Sequence, residues 1–257
     1  MTRLSEPAAE AAIEAACREL HLPTVRAEAA AMADAATKAR LTLRGFLAEV
    51  LIAEVDDRAE RRRVRRIAEA RFPRHKRLAE FDCSASPVTP TDVAALAAGA
   101  FIDKGSPVVL LGDSGTGKSH LLIGLGIAAC EAGKRVRYAT AAQLVNELVE
   151  AADELSLSRV VARYGRLDLL CLDELGYLHL DPRGAELLFQ VITEREERAT
   201  VAVATNAPFS EWGQTFTDPR LAAAVVDRLT FNALILETGA DSYRLRSTRK
   251  KGGAKGN

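Results

Sequence analysis

The sequence predicts an α/β fold: a five-stranded parallel sheet flanked by helices, preceded by a small all-helical N-terminal domain. From about residue 82 onward, short apolar runs alternate with segments of helical period, the pattern of parallel strands joined by crossover helices. Within that region the run Gly112-Asp113-Ser114-Gly115-Thr116-Gly117-Lys118-Ser119 lies between an apolar stretch and a helix. It fills every fixed position of the phosphate cradle G-x-x-x-x-G-K-[ST], whose required context is strand, loop, helix. The first eighty residues carry no strand pattern. The division expected is therefore 1–80 and 81–257, the second part ending in a short basic tail.

Residues 6–38 are dominated by Ala and Glu and broken by Pro23, which predicts two short helices. Thr42 reads as the N-cap of a longer one. Leu43, Phe46, Leu47, Val50 and Leu51 then recur on one face at the helical period. Past Asp56-Asp57 arginines take over that face, and a bend or a restart is expected there. In the second part Pro107 to Leu111 is the strand that enters the phosphate loop. His120-Leu121-Leu122-Ile123 leads on into a helix that ends near Gly133, a residue suited to the left-handed position after a helix. Arg135 to Ala139 is a second strand, and Thr140-Ala141-Ala142-Gln143 a capping box for a helix to about Glu150. Leu167 to Leu172 is a third, buried strand, and Arg183 to Glu197 a helix. Val201 to Thr205 and Ala233 to Leu236 are strands four and five, with a helix near 219–230 between them.

With 257 residues and 48% apolar composition the chain can bury a sizeable core. Its 35 basic and 35 acidic residues cancel, so any nucleic-acid argument must rest on where the charges lie. Cys17, Cys83, Cys130 and Cys171 are scattered, without metal-ligand spacing, and read as reduced thiols. No apolar run approaches the ~20 residues of a membrane span. Met1 to Glu6 lacks the apolar core of a signal peptide. A cytoplasmic protein with no membrane contact is the expectation.

The glycines of the cradle turn the backbone tightly and aim its N–H groups at phosphate oxygens, and the helix N-terminus adds partial positive charge. A nucleoside triphosphate, ATP, is the expected ligand, held by Gly112 to Ser119 with His120 next to them. Lys118 reaches the β- and γ-phosphates, and the Ser119 hydroxyl ligates Mg²⁺. Strand three ends in Asp173-Glu174. The first carboxylate suits Mg²⁺, and Glu174 can polarise a water for attack on the γ-phosphate, so the pair predicts an ATPase. Asn206, at the end of strand four, is placed to sense the γ-phosphate. Arg228, closing the helix before strand five, is the candidate arginine finger toward a neighbouring subunit, with Arg220 its competitor. The adjacent carboxylates and Asn206 argue against a metabolic kinase. The absence of N-K-x-D argues against a GTPase.

Ten basic residues crowd between Arg58 and Arg77, opposed by Glu60 and Glu69. Such a stripe neutralises phosphates and releases counterions. Arg58, Arg61, Arg62, Arg65 and Arg66 are the candidate DNA contacts, while Arg71, Arg74, Lys76 and Arg77 extend the run. No aromatics interleave with the arginines from Arg58 to Arg66, which favours backbone contact over base stacking.

Taken together, GDSGTGKSHLL, LDELGYL, the Ala204-Thr205-Asn206 strand end, Pro208 to Trp212, VVDRL and Ser242-Tyr243-Arg244 resemble the IstB-type ATPases. These are transposition helpers of bacterial insertion sequences, related to DnaC helicase loaders and DnaA initiators in the AAA+ class. The likeness spans roughly residues 40 to 246, with Phe72-Pro73 through Phe81-Asp82 similar to the family's junction between its two parts. It implies an AAA+ P-loop NTPase that assembles as a ring or helical filament on double-stranded DNA. It also implies that the assembly directs the transposase of the same insertion sequence, DNA stimulating the ATPase. A helicase loader on single-stranded DNA is the alternative. After strand five too little chain remains for a C-terminal lid, which leaves Arg244 as the late arginine near the nucleotide.

Overall fold

The computed structural model describes residues 5–177, 179–240 and 242–243. The chain divides between Arg65 and Arg66 into two compact units. Arg244, the tail and the question of a lid lie outside the described residues. No described helix is long and apolar enough to cross a membrane, and all four cysteines are free thiols, three of them buried.

The first unit consists of α1 (Glu6–Glu19), α2 (Pro23–Lys38) and most of α3 (Leu43–Ala70). Pro23 takes the first helical position of α2, where its missing N–H costs nothing. The Thr42 hydroxyl accepts the Gly45 N–H at 3.1 Å, the expected cap of α3. Helix α2 has Leu22 at its N-cap and no capping side chain of its own. Glu54 of α3 supplies one instead: its Oε2 accepts the N–H groups of Thr24 and Val25 at 2.9 and 3.1 Å. Burial alone would raise the Glu54 carboxyl. The Arg58 side chain and those two amides outweigh it and hold the group below its ordinary value.

Of the bend or restart expected past Asp56-Asp57, the restart does not occur, for α3 runs as one helix from Leu43 to Ala70. The charges there are paired along the helix and do not break it. Arg58 Nε meets Glu54 at 2.7 Å and Arg61 Nη1 meets Asp57 at 2.9 Å, both at i,i+4 spacing. Of the apolar face read from the sequence, only Val50 is buried, while Leu43, Leu47 and Leu51 are exposed. The contact with α2 runs along Glu54 and Asp57 instead.

The second unit continues through α4 (Pro90–Ala98), α5 (Ala100–Asp103), β1 (Val108–Leu111), α6 (Lys118–Glu131), β2 (Val136–Thr140), α7 (Ala141–Asp153) and α8 (Leu157–Gly165). It ends with β3 (Leu169–Asp173), α9 (Pro182–Arg195), β4 (Thr200–Thr205), α10 (Trp212–Thr215), α11 (Pro219–Thr230) and β5 (Leu234–Glu237). The five expected strands form one sheet in the order β2-β3-β4-β1-β5, every pair parallel. Successive residues point to opposite faces. Leu170, Leu172, Val201 and Val203 pack under α7, α8, α9 and α11. Leu169, Cys171, Ala202 and Ala204 pack under α6, α4 and the end of α3. Helices α4 and α8 have no counterpart in the sequence reading.

Three local features fix this frame. Gly133, at φ +90, closes α6, with the Lys134 N–H returning to the Ala129 carbonyl at 2.9 Å. Thr140 and Gln143 form the expected capping box of α7. Residues 66–80 belong to the second unit, with Ala70 and Leu78 buried in the same cluster as α6. The sequence reading places them on the other side of its boundary.

Candidate nucleotide site

Three turns carry the site, each at the carboxyl end of a strand, where parallel sheets hold their ligands. They follow β1, β3 and β4, and β4 lies between the other two. The register sets Leu111 of β1 beside Thr205 of β4 and Asp173 of β3 beside Thr140 of β2.

The loop after β1 has the conformation its glycines require. Gly117 adopts φ +105, and a Cβ there would lie 2.7 Å from the Phe81 ring, so a side chain is excluded twice over. Lys118 begins α6, and its Nζ donates to the Asp113 carbonyl across the loop at 2.8 Å. Thr116 Oγ1 shares that acceptor at 2.8 Å and pairs with Thr238 Oγ1 at 2.6 Å. The chain leaving β5 braces the loop from outside. Asp113 N–H donates to the Gly239 carbonyl, and Tyr243 N–H to the Gly115 carbonyl, both at 3.0 Å. Ser119 is half-buried at the first turn of α6.

Asp173, the last residue of β3, is buried. Its Oδ2 accepts the Tyr138 hydroxyl at 2.7 Å and its Oδ1 the Glu174 N–H at 2.9 Å. Burial, then the bond to Asp173, pushes the Tyr138 phenol far above its ordinary value, so it remains a donor. Glu174 adopts φ +62, an uncommon conformation for a residue with a side chain and one that gathers at functional sites. Its side chain is exposed. Asn206 follows β4 closely packed on Gly176, where a Cβ would stand 2.6 Å from Asn206 Oδ1. That buried oxygen has no hydrogen-bond partner among the described residues.

A cavity of about 280 Å³ opens beside the loop, lined by Gly117, Lys118, Ser119 and Tyr243 together with Arg74 and Lys76. The sequence reading assigns both of those cations to the basic stripe. No linear motif marks them, because the loop lies far from them along the chain. Phe81 was likewise missed as the residue that closes over Gly117.

The remaining candidates are scattered. Arg228 donates to Glu196 at 2.8 Å and stacks over the Phe189 ring at 4.7 Å. It borders Pro107 and Asn232 at the amino end of the sheet, away from the phosphate loop of its own chain. Arg220 is exposed in the first turn of α11, about 12 Å of helix rise from Arg228. In the basic stripe Arg58 and Arg61 are tied to Glu54 and Asp57 and Arg63 to Glu60 at 2.6 Å. Arg62 and Arg65 are exposed, whereas Arg66 is half-buried and its carbonyl faces the Cys130 thiol.

A phosphate loop, a buried acid with a second carboxylate beside it, and a polar strand end on a parallel sheet define a nucleotide-binding protein of the P-loop type. The family model described as IstB-like ATP binding protein matches residues 15–251, and the chain belongs to that family. It is 38% identical over 240 residues to an insertion-sequence ATP-binding protein of Sinorhizobium fredii, covering 93% of this chain and 80% of that one. It is 36% identical to the ATP-binding protein of insertion sequence IS5376 from Geobacillus stearothermophilus, covering 91% and 93%. The fold is similar to that of the replication initiator DnaA solved with AMPPCP and single-stranded DNA. The TM-score there is 0.55 at 21% identity, over 70% of this chain and 55% of that chain.

Proposed function

We propose that this chain is an ATP-binding and ATP-hydrolysing transposition helper that assembles on duplex DNA and directs the transposase of its insertion sequence. The observation that carries the reading is the convergence of Gly112–Ser119, Asp173–Glu174 and Asn206 at the carboxyl ends of β1, β3 and β4. The names of the family and of its relatives supply the insertion-sequence context.

Backbone N–H groups of the loop and the first turn of α6 take the phosphate oxygens of ATP, and Lys118 leaves the Asp113 carbonyl to meet the β- and γ-phosphates. A hydroxyl and a buried carboxylate are hard oxygen donors, so Ser119 and Asp173 fit Mg²⁺, which when bound offsets charge on the β- and γ-phosphates. Glu174 orients a water in line with the γ-phosphorus and draws off its proton. Asn206 offers its amide between that water and the γ-phosphate. Arg228 acts on the site of a neighbouring subunit in a ring or filament, which requires it to leave Glu196. The stripe from Arg58 to Arg66 contributes contacts to DNA phosphates.

ATP turnover without DNA, with duplex and with single strands, followed alongside assembly size by light scattering, tests the reading. Stimulation by duplex with large assemblies is expected. Preference for single strands with small complexes would move the function to helicase loading. Lys118→Ala should lose both ATP binding and assembly, and normal assembly by this variant would overturn the nucleotide reading.

A further inference from the structure

Arg74 and Lys76 extend the basic stripe along the chain, yet the fold removes them from it. Helix α3 ends at Ala70, and Arg71 turns the chain at φ +59. The segment that follows is fastened to the first turn of α6. His120 Nε2 lies 2.9 Å from the Arg77 carbonyl, the Phe81 ring meets the His120 ring edge-on at 5.7 Å, and Leu78 packs against Gly124. This fastening turns Arg74 and Lys76 into the cavity beside Gly117, Lys118 and Ser119. Neither has a carboxylate partner among the described residues.

We infer that Arg74 and Lys76 bind the nucleotide and not DNA, contacting the α- and β-phosphates of the nucleoside di- or triphosphate held by the loop. The inference rests on the nucleotide reading of Gly112–Ser119 and goes beyond it. Two unpaired cations beside a phosphate cradle are complementary to a polyphosphate and to little else the fold presents there. Their place in the cradle sets which phosphates they meet. The residues around the γ-phosphate, Asp173, Glu174 and Asn206, do not line this cavity, whereas Gly117, Ser119 and His120 do. The amides at that helix start take the α- and β-phosphates. ATP and ADP therefore gain equally from both cations, and the segment joining α3 to the sheet becomes part of the nucleotide site.

The test measures equilibrium binding of fluorescent ATP and ADP analogues, and of a duplex oligonucleotide without nucleotide, by the full chain. Four variants are compared with wild type: Arg74→Gln with Lys76→Gln, the exchange Arg74→Lys with Lys76→Arg, Lys118→Ala, and Arg62→Gln. The double glutamine variant should lose about tenfold or more in affinity for ATP and for ADP alike, the loss typical of charge-assisted contacts. Its nucleotide-free DNA affinity and salt dependence should match wild type. The exchange variant should recover most of the nucleotide affinity, which a merely misfolded pocket would not. Unchanged nucleotide binding, with or without weakened DNA binding, overturns the assignment. So does a loss confined to ATP, or a loss that the exchange variant does not restore. If wild type binds neither nucleotide, or Lys118→Ala binds both normally, the loop reading itself fails. Arg62→Gln should behave oppositely, weakening DNA binding alone.

Discussion

The Tyr138 hydroxyl donates a 2.7 Å hydrogen bond to Asp173 Oδ2, so the edge strand β2 holds the carboxylate that ends β3. Among the described residues the Glu174 N–H is that carboxylate's other hydrogen-bond donor. Partners that orient a metal-ligating group typically contribute 10–100-fold to metal affinity or activity. Tyr138→Phe keeps the buried ring and removes the donor. The Mg²⁺ concentration for half-maximal turnover should rise about tenfold, with ATP binding in EDTA unchanged. A Mg²⁺ titration of turnover checks this, and an unaltered midpoint would make the bond a packing detail.

Glu174 leaves the sheet with a left-handed backbone and an exposed carboxylate. Gln keeps the size and the backbone strain and removes the base. Glu174→Gln should bind ATP normally and hydrolyse it about 10²-fold or more slowly, within the usual range for a positioned general base. Single-turnover assays separate this from slow product release. Wild-type turnover would remove Glu174 from the chemistry.

Arg228 is held by Glu196 and the Phe189 ring at the end of the sheet opposite its own phosphate loop. As a partly exposed ion pair it adds little to stability, so Arg228→Ala should fold. Acting on a neighbouring subunit, its loss should slow turnover about 10³-fold or more. Mixing it with Glu174→Gln, which binds ATP and keeps the arginine, should restore activity at sites built from one subunit of each. Failure of the mixture to recover would leave Arg228 a structural residue.

The phosphate loop and the strand-end residues Asp173, Glu174 and Asn206 were legible because each sits within a few residues of an apolar strand, where spacing alone carries the message. Contacts between distant segments were not. Nothing near Tyr138 announces Asp173, and nothing near Leu22 announces that Glu54 will cap α2. The expectation that α3 could end and restart mistook a change of residue type for the end of a helix, since arginines with carboxylates at i,i+4 continue it. Helix α4 carried a readable signal in Thr89 and Asp92, which form a capping box. Helix α8 carried another in Leu157, Val160, Val161 and Tyr164, spaced on one helical face. The place of Arg74 and Lys76 beside the phosphate loop was not legible because the chain turns at Arg71, and a charge run read linearly has no turn in it.

Arg195 is fully buried, and burial lowers its guanidinium to about 10, still charged at neutral pH. It donates to the carbonyls of Tyr164, Leu167 and Thr200, joining the end of α8 to the starts of β3 and β4. Methionine matches its length and removes all three of these donor contacts, so Arg195→Met should cost about 3 kcal/mol or more. Urea unfolding of the full chain measures this. A loss below about 1 kcal/mol would mean that water replaces the guanidinium.

Glu54 gives the first unit a pH dependence of known sign. Its folded pKa is depressed, because Arg58 and the amides of Thr24 and Val25 outweigh the effect of burial. The unfolded chain therefore binds the proton more readily. The stabilisation is fully present above the ordinary value of 4.5 and is lost as pH falls through the lower folded value. Hydrogen exchange at the Thr24 and Val25 amides should be slow at pH 7 and accelerate, beyond the intrinsic pH effect, as pH falls through the depressed folded value. Glu54→Gln keeps an acceptor without charge, so it should cost about 1–2 kcal/mol at pH 7 and flatten that acid dependence. A variant that retained the wild-type acid response would place the titrating group elsewhere than Glu54.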